Sequence, residues 1–317
     1  MSDAKKKLII LTGPTAVGKT DLSIRLAKAV NGEIISADSI QVYRSLNIGS
    51  AKITPDEMQG IPHHLVDVLD PTEGFHVAGF QAMAKAAVDD ITSRGKLPII
   101  VGGTGFYIQS VLYDIDFGLE DSDGEIEEEY LRILKEEGPE ALHDMLREVD
   151  PASAEIIHAN NVKRVLRALT FYRLHERTIS SHNENERKKE SVYNSAYFVL
   201  TMDRSRLYER IDKRVDLMMQ AGLLSEVEMT KQQGIPRETT SMQGIGYKEL
   251  RSCLDGEISL DDAVELIKKN TRHFAKRQLT WFRREKDVIW LDRDVLGDDD
   301  DAILAHMLSI LHDKNIM

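Results

Sequence analysis

The chain has 317 residues, 42% of them hydrophobic and 30% charged, with 20 Gly and 8 Pro, which excludes collagen-like, disordered and low-complexity classes. Its single cysteine, Cys253, excludes an intramolecular disulfide framework and a cysteine-rich zinc site. The formal net charge of −12 argues against a nucleic-acid partner except through local basic clusters.

The leading Met-Ser-Asp-Ala-Lys-Lys-Lys is followed by a short apolar run that ends at Gly13 and lacks a cleavage site, so it does not read as a signal peptide. With no long apolar run, no membrane span is expected, and the expected location is the cytoplasm. Lys7 to Leu11 (KLIIL) reads as a buried strand, stopped by Gly-Pro, and Asp21 to Val30 has helical spacing, with Leu22, Leu26 and Ala29 on one face. Further short strands are expected at Glu33 to Ser36, Leu97 to Val101, Ala196 to Leu200 and Val288 to Leu291, with an Ala-rich helix from Gly79 to Ser93. Alternation of this kind predicts an α/β protein with a mostly parallel sheet flanked by helices.

From Asp114 to Asp150 there are fifteen Asp+Glu against three Lys+Arg, and the segment reads as helices at Glu125 to Glu137 and Pro139 to Val149 with no strand. A helical insertion over 115–185 is expected, with the core formed by 1–114 and 186–317. From Asn160 to Arg177 the sign reverses, with Lys163, Arg164, Arg167, Arg173 and Arg177 against Glu176 alone. Ser180 to Ser191 lacks apolar spacing and reads as a loop. Helices are expected at Arg204 to Gln220, Leu223 to Gln233, Leu260 to Arg284 and Ala302 to Leu311. Between the last two, Asp298 to Asp301 reads as a solvated loop ending in a helix N-cap.

Gly13, Pro14, Thr15, Ala16, Val17, Gly18, Lys19 and Thr20 match G-x-x-x-x-G-K-[ST] between a buried strand and a helix. Glycines let backbone N–H groups turn inward around an anion at a helix N-terminus. Lys19 supplies charge to the phosphates and Thr20 a hydroxyl to an accompanying Mg²⁺. The motif specifies a di- or triphosphate without saying which. Asp38, just past the second strand, stands where open α/β sheets bind ligands. It suits metal support or general-base work, and a turn or cap role equally well.

Gly102 to Gly105 reads as a second strand-to-helix turn, which can face an anion or equally serve as a plain turn. His63 and His64 are adjacent and project differently, so pocket-lining or structural roles are expected rather than a metal site. From Lys268 to Arg284 there are seven Lys+Arg and no acid, with Phe274, Trp281 and Phe282 interleaved. On a helix, Lys269, Arg272, Lys276 and Arg283 fall near one face, while Phe274, Leu279 and Phe282 are expected to turn toward the core. With Lys163 to Arg177, this run predicts a phosphate-backbone footprint on an otherwise acidic molecule.

Ten ordered segments carry a resemblance: GPTAVGKT (13–20), ISADSIQVYR (35–44), IGSAK (48–52), PHHLVDV (62–68), VGGTGFYIQ (101–109), RVLRAL (164–169), RIDKRV (210–215), GLLSEV (222–227), QGIGYKE (243–249) and AKRQLTWFR (275–283). The chain resembles the bacterial tRNA dimethylallyltransferases, or tRNA isopentenyltransferases, most closely those of Bacillus-like bacteria. The resemblance implies transfer of a dimethylallyl group from dimethylallyl diphosphate to the exocyclic N6 of the adenosine beside the tRNA anticodon, releasing diphosphate. It implies that the P-loop holds the donor's pyrophosphate, with Thr15, Gly18, Lys19 and Thr20 lining it, Mg²⁺ at Thr20, and Arg214 reaching it from the C-terminal half.

By the same resemblance Asp38 accepts the N6 proton. The resemblance places tRNA contacts at Asp38, Ser39, Ile40 and Gln41, at Thr104, and at Lys163, Arg164, Val165, Leu166 and Arg167. It extends them to Gln243, Gly244, Ile245, Gly246, Tyr247 and Lys248, and to Lys276, Arg277, Gln278, Leu279, Thr280, Trp281, Phe282 and Arg283. The insertion resembles the part that embraces the anticodon stem-loop. Lacking a separate dimerisation element, the chain is expected to be a monomer.

A small-molecule kinase would use ATP at the same loop, but neither an arginine-rich lid nor a clear hydrophobic-hydrophobic-Asp motif is present. An adenylate dimethylallyltransferase would take a free nucleotide, against which AKRQLTWFR and QGIGYKE favour tRNA. A non-catalytic nucleotide-binding module sits poorly with Asp38 after an intact P-loop.

Overall fold

A computed structural model describes residues 5–117 and 124–317. The chain divides into two compact units, 1–114 with 191–317, and 115–190.

The first unit begins with β1 (Lys7–Thr12), α1 (Lys19–Ala29), β2 (Gly32–Ala37), α2 (Pro55–Met58), β3 (His63–His64), α3 (Val77–Ser93), β4 (Leu97–Gly102) and α4 (Gly105–Leu112). The second holds α5 (Gly124–Glu137), α6 (Pro139–Val149), α7 (Pro151–Ile156), α8 (Val162–His175) and α9 (Ile179–Lys188). The chain then completes the first unit with β5 (Asn194–Thr201), α10 (Arg204–Gln220), α11 (Leu223–Gln232), α12 (Tyr247–Leu254), α13 (Leu260–Phe282), β6 (Val288–Asp292) and α14 (Asp300–Asp313).

The strands form one parallel sheet in the order β3-β2-β4-β1-β5-β6. Its central strands are covered on both faces, hence unbroken apolar runs such as KLIILT rather than strict alternation. Alternate residues still feed separate cores. Leu8, Ile10, Ile35 and Ile100 pack on one face, Ile9, Leu11, Ile34 and Ile99 on the other. The register aligns Thr12, Ala37 and Gly102 in one row. The residues that follow, Gly13, Asp38 and Gly103, therefore leave the sheet side by side at its carboxyl edge, where α/β sheets place their ligands.

The second unit is all helical among its described residues, around Leu142, Leu146, Val165 and Leu169. Its organising polar group is Asp150, 1% exposed. Its carboxylate accepts from Ser153 N at 3.1 Å and Oγ at 2.6 Å, and from Ser180 N at 3.0 Å and Oγ at 2.6 Å. Burial alone would raise its pKa, but these bonds prevail and hold it below the usual carboxylate value. Asp150→Ala leaves those donors without an acceptor and is expected to destabilise the protein by roughly 3 kcal/mol, read by denaturant titration. A loss below about 0.5 kcal/mol would show that water replaces the carboxylate.

The segment 180–191 is not the expected loop, because α9 occupies most of it. Thr178 caps α9 by accepting from Ser181 N at 3.2 Å, Lys188 pairs with Glu184 one turn away at 2.8 Å, and His182 is the buried anchor against the Phe171 ring at 5.1 Å. Capping and ion pairs sustain a polar helix without an apolar stripe. The return to the first unit accordingly falls at Ser191, after α9, and not at 186 within it.

Candidate active site

The loop between β1 and α1 is shaped by positive φ at Gly13 (146°), Ala16 (65°) and Gly18 (97°). A Cβ at Gly13 would collide with the Leu200 carbonyl of β5, so glycine is required there. Lys19 folds back over the loop, its Nζ donating to Gly13 O at 2.9 Å and Pro14 O at 2.8 Å. Burial first and the nearby Arg214 guanidinium second, opposed by Asp38, together lower its pKa to about 7.

Arg214, from α10, reaches the same cleft, and burial followed by repulsion from Arg210 lowers its pKa as well. Among the described residues the Arg214 guanidinium makes no hydrogen bond or ion pair, and no carboxylate lies within ion-pair distance of Lys19. Two cations held together without a carboxylate partner form a site for an anion of more than one charge.

Asp38 faces the same cleft. Its Oδ1 closes an Asx turn, accepting from Ile40 N at 2.8 Å and Gln41 N at 3.2 Å, which fixes the carboxylate. Oδ2 takes no hydrogen bond among the described residues and remains able to accept a proton. The Gln41 amide is occupied inside the loop, by Ser36 Oγ at 3.3 Å and by the Ser50 and Ala51 carbonyls at 3.2 Å. Thr104 enters α4 beside the site, its N–H on Ala37 O at 3.3 Å.

His63 borders the cleft, with Nδ1 on Ile61 O at 2.8 Å and its pKa lowered by burial. His64 instead joins Arg94 and Lys96 around buried Glu33, whose carboxyl the Arg94 contact holds far below the usual range. Among the described residues no His, Cys, Asp and Glu cluster forms a metal site.

The structure redistributes several residues expected at a tRNA surface. Val165, Leu166, Tyr247 and Phe282 are at most 8% exposed and belong to cores, and Leu279 packs there too. Gln278 is buried in the cleft, where its Oε1 accepts from Thr15 N and its Nε2 donates to Gly103 O, both at 2.9 Å. It braces the P-loop against the turn after β4. Phe274 lines the cleft and does not enter the core, with the Arg277 guanidinium 5.8 Å from its ring centre.

Within the basic run, Lys268 is engaged by Asp216 at 2.8 Å and Arg272 by Asp212, both acids on α10. This leaves Lys269, Lys276, Arg277, Arg283 and Arg284 exposed, with Lys276, Arg277, Thr280 and Trp281 bordering a groove. Trp281 packs edge-on against Phe106 at 5.9 Å. Gln243 is exposed, Lys248 half-exposed, and on α8 Lys163, Arg164 and Arg167 are exposed.

Two functional supports escape sequence reasoning. Buried Glu226 accepts from Asn47 N and Ile48 N at 2.8 Å, Gly49 N at 3.0 Å and Tyr247 Oη at 2.7 Å, fixing the loop that carries cleft residues Ser50 and Ala51. The Tyr247 hydroxyl, desolvated beside that carboxylate, is held well above its usual pKa. Arg293, 5% exposed and just past β6, donates from Nε to Val17 O at 2.9 Å. Its other nitrogens bind Asp298 at 2.9 Å and Asp300 at 2.7 Å. The four-Asp run is therefore not simply solvated: Asp299 caps α14, while Asp298 and Asp300 flank a buried guanidinium.

A parallel sheet whose carboxyl edge gathers residues 13–20, two cations without carboxylate partners among the described residues and a carboxylate fixed in a turn defines an α/β protein with a charged cleft at that edge. The IPP transferase family profile matches residues 41–285, and the chain belongs to that family. It is 56% identical over 310 residues to a tRNA dimethylallyltransferase of Lachnoclostridium phytofermentans, covering 98% of this chain and 99% of the relative. It is 51% identical over 292 residues to that of Bacillus subtilis, covering 92% of each. A crystal structure of a eukaryotic dimethylallyltransferase acting on tRNA superposes with a TM-score of 0.84 at 33% identity, covering 98% of this chain and 80% of that one.

Proposed function

We propose that the chain transfers the dimethylallyl group from dimethylallyl diphosphate to the exocyclic N6 of the adenosine adjacent to the anticodon in tRNA, releasing diphosphate. The observation that carries this reading is the pairing of Lys19 and Arg214, free of carboxylate partners, with the unoccupied Oδ2 of Asp38 in one cleft. In the reaction the allylic C–O bond breaks, its electrons leave with the diphosphate, and N6 forms the new C–N bond. Lys19, Arg214 and the free backbone N–H groups of the P-loop, such as those of Gly18 and Lys19, hold the growing charge. Asp38 takes the N6 proton. The adenine has to leave its stack to reach the cleft.

Thr20 and Asp38 offer a hydroxyl and a carboxylate, hard oxygen donors too few to cage a metal alone. That suits Mg²⁺, which would be held at Thr20 with diphosphate oxygens and water and would supply further charge neutralisation on the leaving group. Incubation with Mg²⁺, dimethylallyl diphosphate and unmodified tRNA, followed by nucleoside mass analysis, tests the reading. A tRNA without added mass would overturn it, and modification of free AMP in preference to tRNA would favour the adenylate transferase. No helix among the described residues is long and apolar enough to cross a membrane. The expected setting is the cytoplasm and the expected state a monomer.

In this reading the exposed cations of α13 offer one tRNA-binding surface and those of α8 another. At ~0.15 M salt the overall negative charge is screened beyond about 8 Å, so nearby cations decide binding. Reversing Lys276 and Arg277 to Glu is expected to weaken tRNA binding. The slope of log K against log salt should fall by roughly 0.7–0.9 for each tRNA phosphate that is no longer neutralised. Diphosphate affinity should stay the same. Parallel slopes and equal tRNA affinity would show that this face of α13 is merely solvated.

A further inference from the structure

Arg293 belongs to the edge strand's exit, yet its guanidinium lies against the P-loop. Its backbone N–H is fixed by Thr201 O at 2.9 Å, and its side chain binds Val17 O through Nε. Nη2 lies 3.4 Å from Gly18 O, and a Cβ on Gly18 would come within 2.7 Å of that nitrogen. A trans peptide points its C=O and the next N–H in opposite directions. Holding the Val17 and Gly18 carbonyls on the guanidinium side therefore turns the Gly18 and Lys19 N–H groups the other way, into the cleft. Asp298 and Asp300 offset the charge of the guanidinium and fix its plane, and Arg206 holds Asp298 from the other side at 2.6 Å.

We infer that Arg293 is a positioning residue for the diphosphate, presetting the amides of the P-loop from outside the cleft. This deepens the proposed function and rests on its assignment of the loop to diphosphate. The guanidinium acts by orienting acceptors, and its charge is offset by its own carboxylates. Positioning thus has a signature that simple charge lacks. Asp300→Asn removes a negative charge near the loop, which by Coulomb attraction alone would tighten anion binding. Loosened positioning weakens it instead.

The experiment measures inorganic pyrophosphate affinity by calorimetry, KM and kcat for dimethylallyl diphosphate, and tRNA affinity, in full-length wild type, Arg293→Gln, Arg293→Lys and Asp300→Asn. Expected are at least tenfold weaker pyrophosphate binding and a raised donor KM in Arg293→Gln. A smaller loss is expected in Arg293→Lys, a loss of about threefold in Asp300→Asn, and tRNA affinity within twofold throughout. Should Arg293→Gln fail to fold, the other two variants decide. Unchanged or tighter pyrophosphate binding in Asp300→Asn, or tRNA and pyrophosphate affinity falling together in Arg293→Lys, would overturn the inference. A wild type that does not bind pyrophosphate would instead overturn the diphosphate assignment itself.

Discussion

Asp38→Asn is expected to lower kcat by roughly 10²–10⁴ while leaving diphosphate affinity nearly unchanged. The asparagine is close to an isostere. Its carbonyl oxygen can keep the two backbone bonds from Ile40 and Gln41, so the turn after β2 survives. What it loses is Oδ2, the atom able to receive a proton. Asp38→Ala removes the turn acceptor as well and is expected to be the less informative variant, since lost geometry and lost basicity are then mixed. Single-turnover prenylation with saturating donor is the measurement. Near-normal turnover in Asp38→Asn would remove the base assignment and leave Asp38 a turn residue.

Lys19→Ala is expected to weaken diphosphate binding and to lower kcat by about 10²–10³, because charge on the leaving group grows in the transition state. The free site gives this lysine an unusual titration, with its pKa lowered to about 7 by burial first and Arg214 second. At pH 8 it is therefore mostly neutral before diphosphate arrives, and the anion stabilises the ammonium form. Binding then draws a proton from solution, more at pH 8 than at pH 6, and affinity falls as pH rises above 7. Calorimetry in buffers of different ionisation enthalpy reads this uptake, and the difference from Lys19→Ala removes the contribution of diphosphate itself. Equal proton counts in the two proteins would show that Lys19 is already charged in the empty site.

The P-loop was legible because strand, glycine punctuation and helix follow one another within fourteen residues, 7–20, and each step has a local physical cause. The same holds for α10 and α6, whose apolar spacing or flanking Pro speaks for itself. Asp38 was legible as a position, at a strand's carboxyl end, but which of its oxygens stays without a hydrogen bond depends on where Ile40 and Gln41 fold. What escaped has partners far along the chain. Glu226 meets the 47–49 loop nearly 180 residues away, and Arg293 meets Val17 across 276. No window of sequence places such pairs together. The basic run on α13 was legible only in part for a related reason, since the acids that engage Lys268 and Arg272 stand on α10. The polar helix α9 carried no periodic signal at all, and β3 was too short at two residues to give one.

The strand that leads into the P-loop, β1, lies between β4 and β5, and β5 begins only at Asn194. Residues 115–190 must be synthesised before one side of β1 can acquire its hydrogen-bond partner. At ribosomal speeds of about 5–20 residues per second, that side stays open for roughly 10–40 s, a window in which an unpaired apolar strand is prone to mispairing. The loop itself waits longer, for Arg293 to emerge. If Arg293 positions the loop as inferred, a loop whose motif lies in the first twenty residues gains its last support only near the end of synthesis.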